Sequence, residues 1–101
     1  MGYIMPSIEQ ITIKGLKIAN RTYPKSVAKD LKITRDEWSF LSIALIEELY
    51  YKKKPLSNIW AGIKDEVTED YQLSPGSKER QKLLSGLLSL VMGIRKISYI
   101  K

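Results

Sequence analysis

The stretch covering residues 34–55 constrains this chain more than any other, because it marks both of its own ends. Thr34 followed by Glu37 is the pattern of a capping box: the hydroxyl accepts from the amide of the third helical residue, and the carboxylate accepts from the Thr34 amide. Ile33 and Trp38 stand where a hydrophobic staple closes over such a cap. Between the cap and Lys52-Lys53-Lys54-Pro55 lie Trp38, Phe40, Leu41, Ile43, Ala44, Leu45, Ile46, Leu49, Tyr50 and Tyr51. At ~100° per residue these side chains surround a helix instead of forming one stripe, so the expectation is a central helix covered by neighbours on most sides. The three lysines suit the negative end of the helix dipole, and Pro55 cannot continue the hydrogen-bond ladder.

A helix of that kind needs a body around it. The 101 residues, 44% hydrophobic and 28% charged, suffice for one core and one folded domain spanning 1–101. The chain has neither cysteine nor histidine. That removes disulfides, thiol nucleophiles, imidazole bases and the usual zinc ligands, so no enzyme, metal, cofactor or small-molecule substrate is expected. Asp65-Glu66 with Glu69-Asp70 is the one carboxylate cluster, and it reads as a solvated helix face because a hard cation needs about six oxygen ligands in a fixed loop. The glycines form no phosphate-cradling loop. No basic-then-apolar leader opens the sequence, and the longest nearly uncharged run, residues 83–94, is far shorter than the ~20 residues of a membrane span. A soluble, cytoplasmic protein is expected.

The other elements follow from their own punctuation. Ser7 can cap a first helix carrying Ile8, Ile11, Gly15, Leu16, Ile18 and Ala19. Ile11-Thr12-Ile13-Lys14 also alternates as a strand would, but no second strand is available to pair with it, which favours helix. Pro24 suits the first turn of a short helix with Val27, Ala28 and Leu31, extending over about residues 24–32. After Pro55, Ser57 can cap a helix in which Ile59, Trp60, Ile63 and Val67 face one way, with Tyr71 a turn further on. Trp38 and Trp60 are both expected in the core. Ser74-Pro75 or Ser77 opens the last helix, about residues 78–96, whose apolar face is Leu83, Leu84, Leu87, Leu90, Val91, Ile94 and Ile97. Beside it Gly86, Ser89 and Gly93 form a strip of small residues suited to close helix packing. Short connections favour antiparallel neighbours, so the fold expected is all-α: an antiparallel four-helix bundle with one extra short helix.

Charge is unevenly distributed along this body. Residues 1–34 carry six basic and two acidic groups, residues 35–71 five and eight, and residues 72–101 six and one. Basic ends around an acidic middle fit either complementary internal surfaces or a polyanionic or membrane-surface partner.

Two motifs bear on function. Val27-Ala28, Leu31, Ile33-Thr34, Trp38 and Leu41 resemble the spacing of a helix-turn-helix over residues 25–41, which makes DNA the partner of an alternative, regulatory role. Lys32 replaces the usual turn glycine, and the positions that would face bases are Arg35, Asp36, Glu37 and Phe40, with carboxylates where phosphate affinity needs cations. The second motif is longer. Lys54-Pro55-Leu56 leading into Ile59, Ile63 and Val67, then Gln72-Leu73-Ser74, Lys78-Glu79, Leu83-Leu84, Leu87-Leu88-Ser89-Leu90, Ile94-Arg95 and Tyr99 resembles the immunity proteins of pediocin-like and enterocin A-like bacteriocins over residues 38–100. The resemblance implies a four-helix bundle at the inner face of the membrane that protects its producer at a bacteriocin-engaged receptor, a transporter complex or another protein. By position it also implies Lys78, Arg80, Lys82, Arg95, Lys96 and Tyr99 as partner-recognition residues.

Overall fold

A computed structural model describes residues 7–97, and every element among them is helical: α1 (Ile8–Thr22), α2 (Lys25–Leu31), α3 (Arg35–Ile46) with a π-helical continuation at Glu47–Tyr51, α4 (Leu56–Asp70) and α5 (Lys78–Arg95). The alternating segment around Ile11 is helix, as the missing strand partner required. Ser7 caps α1 with a full capping box that Gln10 completes. Thr34 and Glu37 form the second box as expected. Ser77 caps α5 by accepting from the Arg80 amide.

Two boundaries differ from the sequence expectation. Ser57 is not a cap: α4 starts two residues earlier than such a cap would place it, at Leu56, and the extended Pro55 closes its end through a carbonyl that accepts from the amides of Asn58 and Ile59. The central helix does not run as α-helix to the lysines. It loosens into the π turn, and a left-handed Lys53 (φ 52°) reverses the chain. Lys52 and Lys54 fold back there to pair with Glu48, at 3.5 and 2.7 Å, and hold its carboxyl below the usual range, the hydrogen bond from Lys54 being the main cause.

α5 is the spine. Leu83, Leu87, Leu90 and Ile94 are wholly inaccessible, and α1, α2, α3 and α4 all pack on this helix. α1 runs antiparallel to α3, since Gly15 meets Ile46 while Thr22 meets Trp38 at the other end. It is also antiparallel to α5, with Gly93 against Ile18 and Gly86 against Thr22 and Pro24. Two glycines of the small-residue strip are therefore contact points of a close crossing, where a Cβ on Gly93 would lie 2.7 Å from Ile18 Cγ2. Two hydroxyls fasten the body's ends. The Tyr23 hydroxyl donates to the Ile33 carbonyl across α2, and that of Tyr50 lies 2.8 and 2.7 Å from the carbonyls of Ile94 and Ile97.

The covering of α3 is where the sequence expectation fails. Trp38, Leu45 and Ile46 are buried against α1 and α5, but Phe40 is 70% exposed, Ile43 41% and Tyr51 50%. α1 and α5 take one side of the helix, and α4 stands off from the other, so the outer face of α3 meets solvent. Trp60 is likewise half-buried beside the core, not within it.

Candidate functional site

The basic residues expected to recognise a partner lie on α5, but the helix separates them. Lys78 and Lys82 are exposed near its start and Arg80 is half-buried there, whereas Arg95 and Lys96 are exposed at its end. Thirteen residues of rise put Lys82 and Arg95 ~20 Å apart, so the set forms two basic ends joined by an apolar spine, not one patch. Tyr99 lies outside the described residues.

The helix-turn-helix segment has the geometry its spacing suggested in one respect. Lys32 adopts φ 57° and ψ 40°, the left-handed turn that glycine usually supplies, and Val27 and Ala28 are buried. Its second helix presents the wrong chemistry for DNA. Asp36, Phe40, Ile43, Ala44 and Glu47 recur at i, i+4, i+7, i+8 and i+11 and are all exposed, giving an apolar stripe closed at both ends by carboxylates. Arg35, the nearby cation, is occupied: it donates to Asn20 Oδ1 at 2.8 Å and lies 4.4 Å over the Tyr23 ring.

Next to that stripe is a feature the sequence did not reveal. α3 and α4 diverge enough to leave a half-open groove in two joined parts of about 430 and 340 Å³. Its floor is Leu41, Leu45, Ile59 and Ile63, its walls include Ala44 and Gly62, and Phe40 stands at its edge. From Asn58 to Tyr71 it follows α4 for ~20 Å. The charged groups along it are Glu37, Glu48, Glu66, Asp70 and Lys54, and Lys54 is committed to Glu48. At the far end the Tyr71 hydroxyl donates to Glu37 Oε2 at 3.1 Å. Partial burial, reinforced by that carboxylate, pushes the phenol up to about 12. The signal available beforehand was Gly62, a small residue on the flank of an otherwise ordinary amphipathic helix. A Cβ there meets no atom within 4 Å, so the gap is open space rather than a close approach.

Among the described residues no group of three or more carboxylates converges as a metal site would require. No helix among them is long and apolar enough to cross a membrane. The surface offers an acidic apolar groove on one side and a spine with basic ends on another. No family model, curated protein or solved structure matches the chain.

Proposed function

We propose that this protein is a non-catalytic binding protein of the bacteriocin self-immunity kind, in which α1, α3, α4 and α5 act as an antiparallel four-helix bundle that engages a membrane receptor or transporter complex at its inner face. The supporting observation is the construction of α5. Its buried leucines fix the helix in the core while Lys78, Lys82, Arg95 and Lys96 project at a set separation. Cations held this way suit the cytoplasmic rim of a membrane protein, where each contributes about 1 kcal/mol against anionic lipid. The helix-loop-helix from Leu56 through Arg95, with Gln72-Leu73-Ser74 in its turn, also keeps the arrangement on which the family resemblance rests.

Expression in a strain sensitive to a peptide bacteriocin encoded beside this gene tests the reading. Resistance is expected from the natural chain and loss of resistance from Lys78→Glu with Lys82→Glu, or Arg95→Glu with Lys96→Glu, at equal protein level. Full sensitivity with the natural chain overturns it. The left-handed Lys32 favours a second reading, DNA binding through α2 and α3. The carboxylates at Asp36, Glu37 and Glu47 oppose phosphate, and a gel shift at physiological salt separates the two roles.

A further inference from the structure

The apolar exposures among the described residues include Ile13 and Leu16 on α1, Phe40 and Ile43 on α3, and the groove between α3 and α4. The first two belong to ordered faces. Ile13, Leu16, Lys17, Asn20 and Arg21 recur at i, i+3, i+4, i+7 and i+8, so α1 shows solvent an apolar pair followed by cations. α3 shows Phe40 and Ile43 between Asp36 and Glu47, with Glu66 and Asp70 of the groove alongside. The two helices are antiparallel neighbours bridged by the Arg35–Asn20 hydrogen bond, so the basic and the acidic face lie side by side on one molecule.

We propose that the occupant of the acidic face is α1 of a second copy of this chain, in a two-fold dimer. Charge decides which faces meet. Setting α3 against α3 would oppose Asp36 and Glu47 to their own copies, and α1 against α1 would oppose Lys17 and Arg21 to theirs. Crossed pairing sets cations against carboxylates in both halves of the interface. A two-fold axis beside α1 and α3 makes both contacts at once, as a self-complementary interface must. With levels kept as within one copy, Leu16 of each copy then seats against Ile43 at the mouth of the partner's groove, and the stem of Arg21 covers Phe40. The net charge of +6 on each copy does not prevent this. At physiological ionic strength screening acts within ~8 Å, so local pairs outweigh the distant excess. Glu9, the carboxylate of α1, lies a turn from Ile13 and away from Lys17 and Arg21.

Sedimentation velocity over a wide concentration series, repeated at low and high salt, tests this inference and does not depend on the immunity reading. A reversible monomer–dimer equilibrium that weakens with salt is expected. Phe40→Glu should weaken it about tenfold or more, as loss of a central aromatic contact does. Lys17→Glu with Arg21→Glu, or Asp36→Lys with Glu47→Lys, should each weaken it as well, and the four changes combined in one chain should restore it. These side chains are exposed, so circular dichroism and the melting temperature should stay near those of the natural protein and separate lost association from lost folding. A monomer at every concentration overturns the proposal. So does a dimer indifferent to Phe40→Glu and to the charge reversals, a quadruple variant that stays dissociated, or a ladder of ever larger species, which would mean an open head-to-tail contact.

Discussion

Glycines in this protein have opposite roles depending on what faces them, and substitution by alanine separates the roles. At Gly93 an added methyl would meet Ile18 Cγ2, a branch fixed close to the backbone, at 2.7 Å. Overpacking there should cost ~1–3 kcal/mol and exceed the ~0.5–1 kcal/mol that alanine contributes to a helix, so Gly93→Ala lowers stability in a urea melt. At Gly15 the methyl would meet the far tip of Ile46, which can turn aside, so Gly15→Ala should cost less than Gly93→Ala. Gly62 faces open groove, and Gly62→Ala should raise stability by roughly the helix-propensity difference, ~0.5–1 kcal/mol. Tyr71 gives a second residue-scale expectation. Its phenol is raised from 10.0 to about 12, so the fold favours the neutral form. That contribution is complete below pH 10 and disappears as pH rises toward 12. The full shift would correspond to ~2.7 kcal/mol, but the ring is only partly buried and solvent screens it, so ~1 kcal/mol or less is expected. Alkaline unfolding of Tyr71→Phe compared with the natural chain measures it: the variant should lose less stability across that window.

At the scale of elements, all five helices were readable from their apolar stripes, and the starts marked by a side-chain cap were read more closely than that of α4, which has none. Ser7, Thr34 and Ser77 announced α1, α3 and α5 because a side-chain oxygen accepting an orphan amide is a local interaction visible in sequence. Thr34→Ala should therefore cost about 1 kcal/mol, seen as a lower urea midpoint, although Thr34 itself is exposed. The end of α3 was not readable. It loosens into a π turn from which Tyr50 reaches the carbonyls of Ile94 and Ile97, contacts more than forty residues away in the chain. Nor was the exposure of Phe40 and Ile43. An apolar circumference shows that a helix has more than one face to cover, but not whether the cover comes from its own chain. The acidic groove was hidden for the same reason, since it is made by the distance between α3 and α4 and each helix alone looks ordinary. The basic residues of α5 were readable one by one, while their division between two ends follows only once the helix is known to be continuous.

For the whole molecule, the uneven attachment of the helices should make stability uneven. α1, α3 and α5 are locked together by close crossings, by the Trp38 indole donating to Thr22 at 3.2 Å and by Tyr50 at the end of α5. α4 holds on through Ile59, Ile63 and Val67, an edge that itself borders the groove, while its carboxylates face solvent. A helix with one narrow buried edge can detach without breaking the others, and such sub-global openings cost less than complete unfolding. Native-state hydrogen exchange in low denaturant should thus show the amides of α4 exchanging through an opening of lower free energy and smaller denaturant dependence than those of Leu83, Leu87 and Leu90. The order carries a functional consequence, because opening α4 widens the face on which the second copy is proposed to sit. Dimerisation should then raise the protection of α4 selectively, and Phe40→Glu should cancel that gain while leaving α5 unchanged. If α4 and α5 exchange with one common free energy, the molecule is a single cooperative unit and the groove is a rigid feature of it.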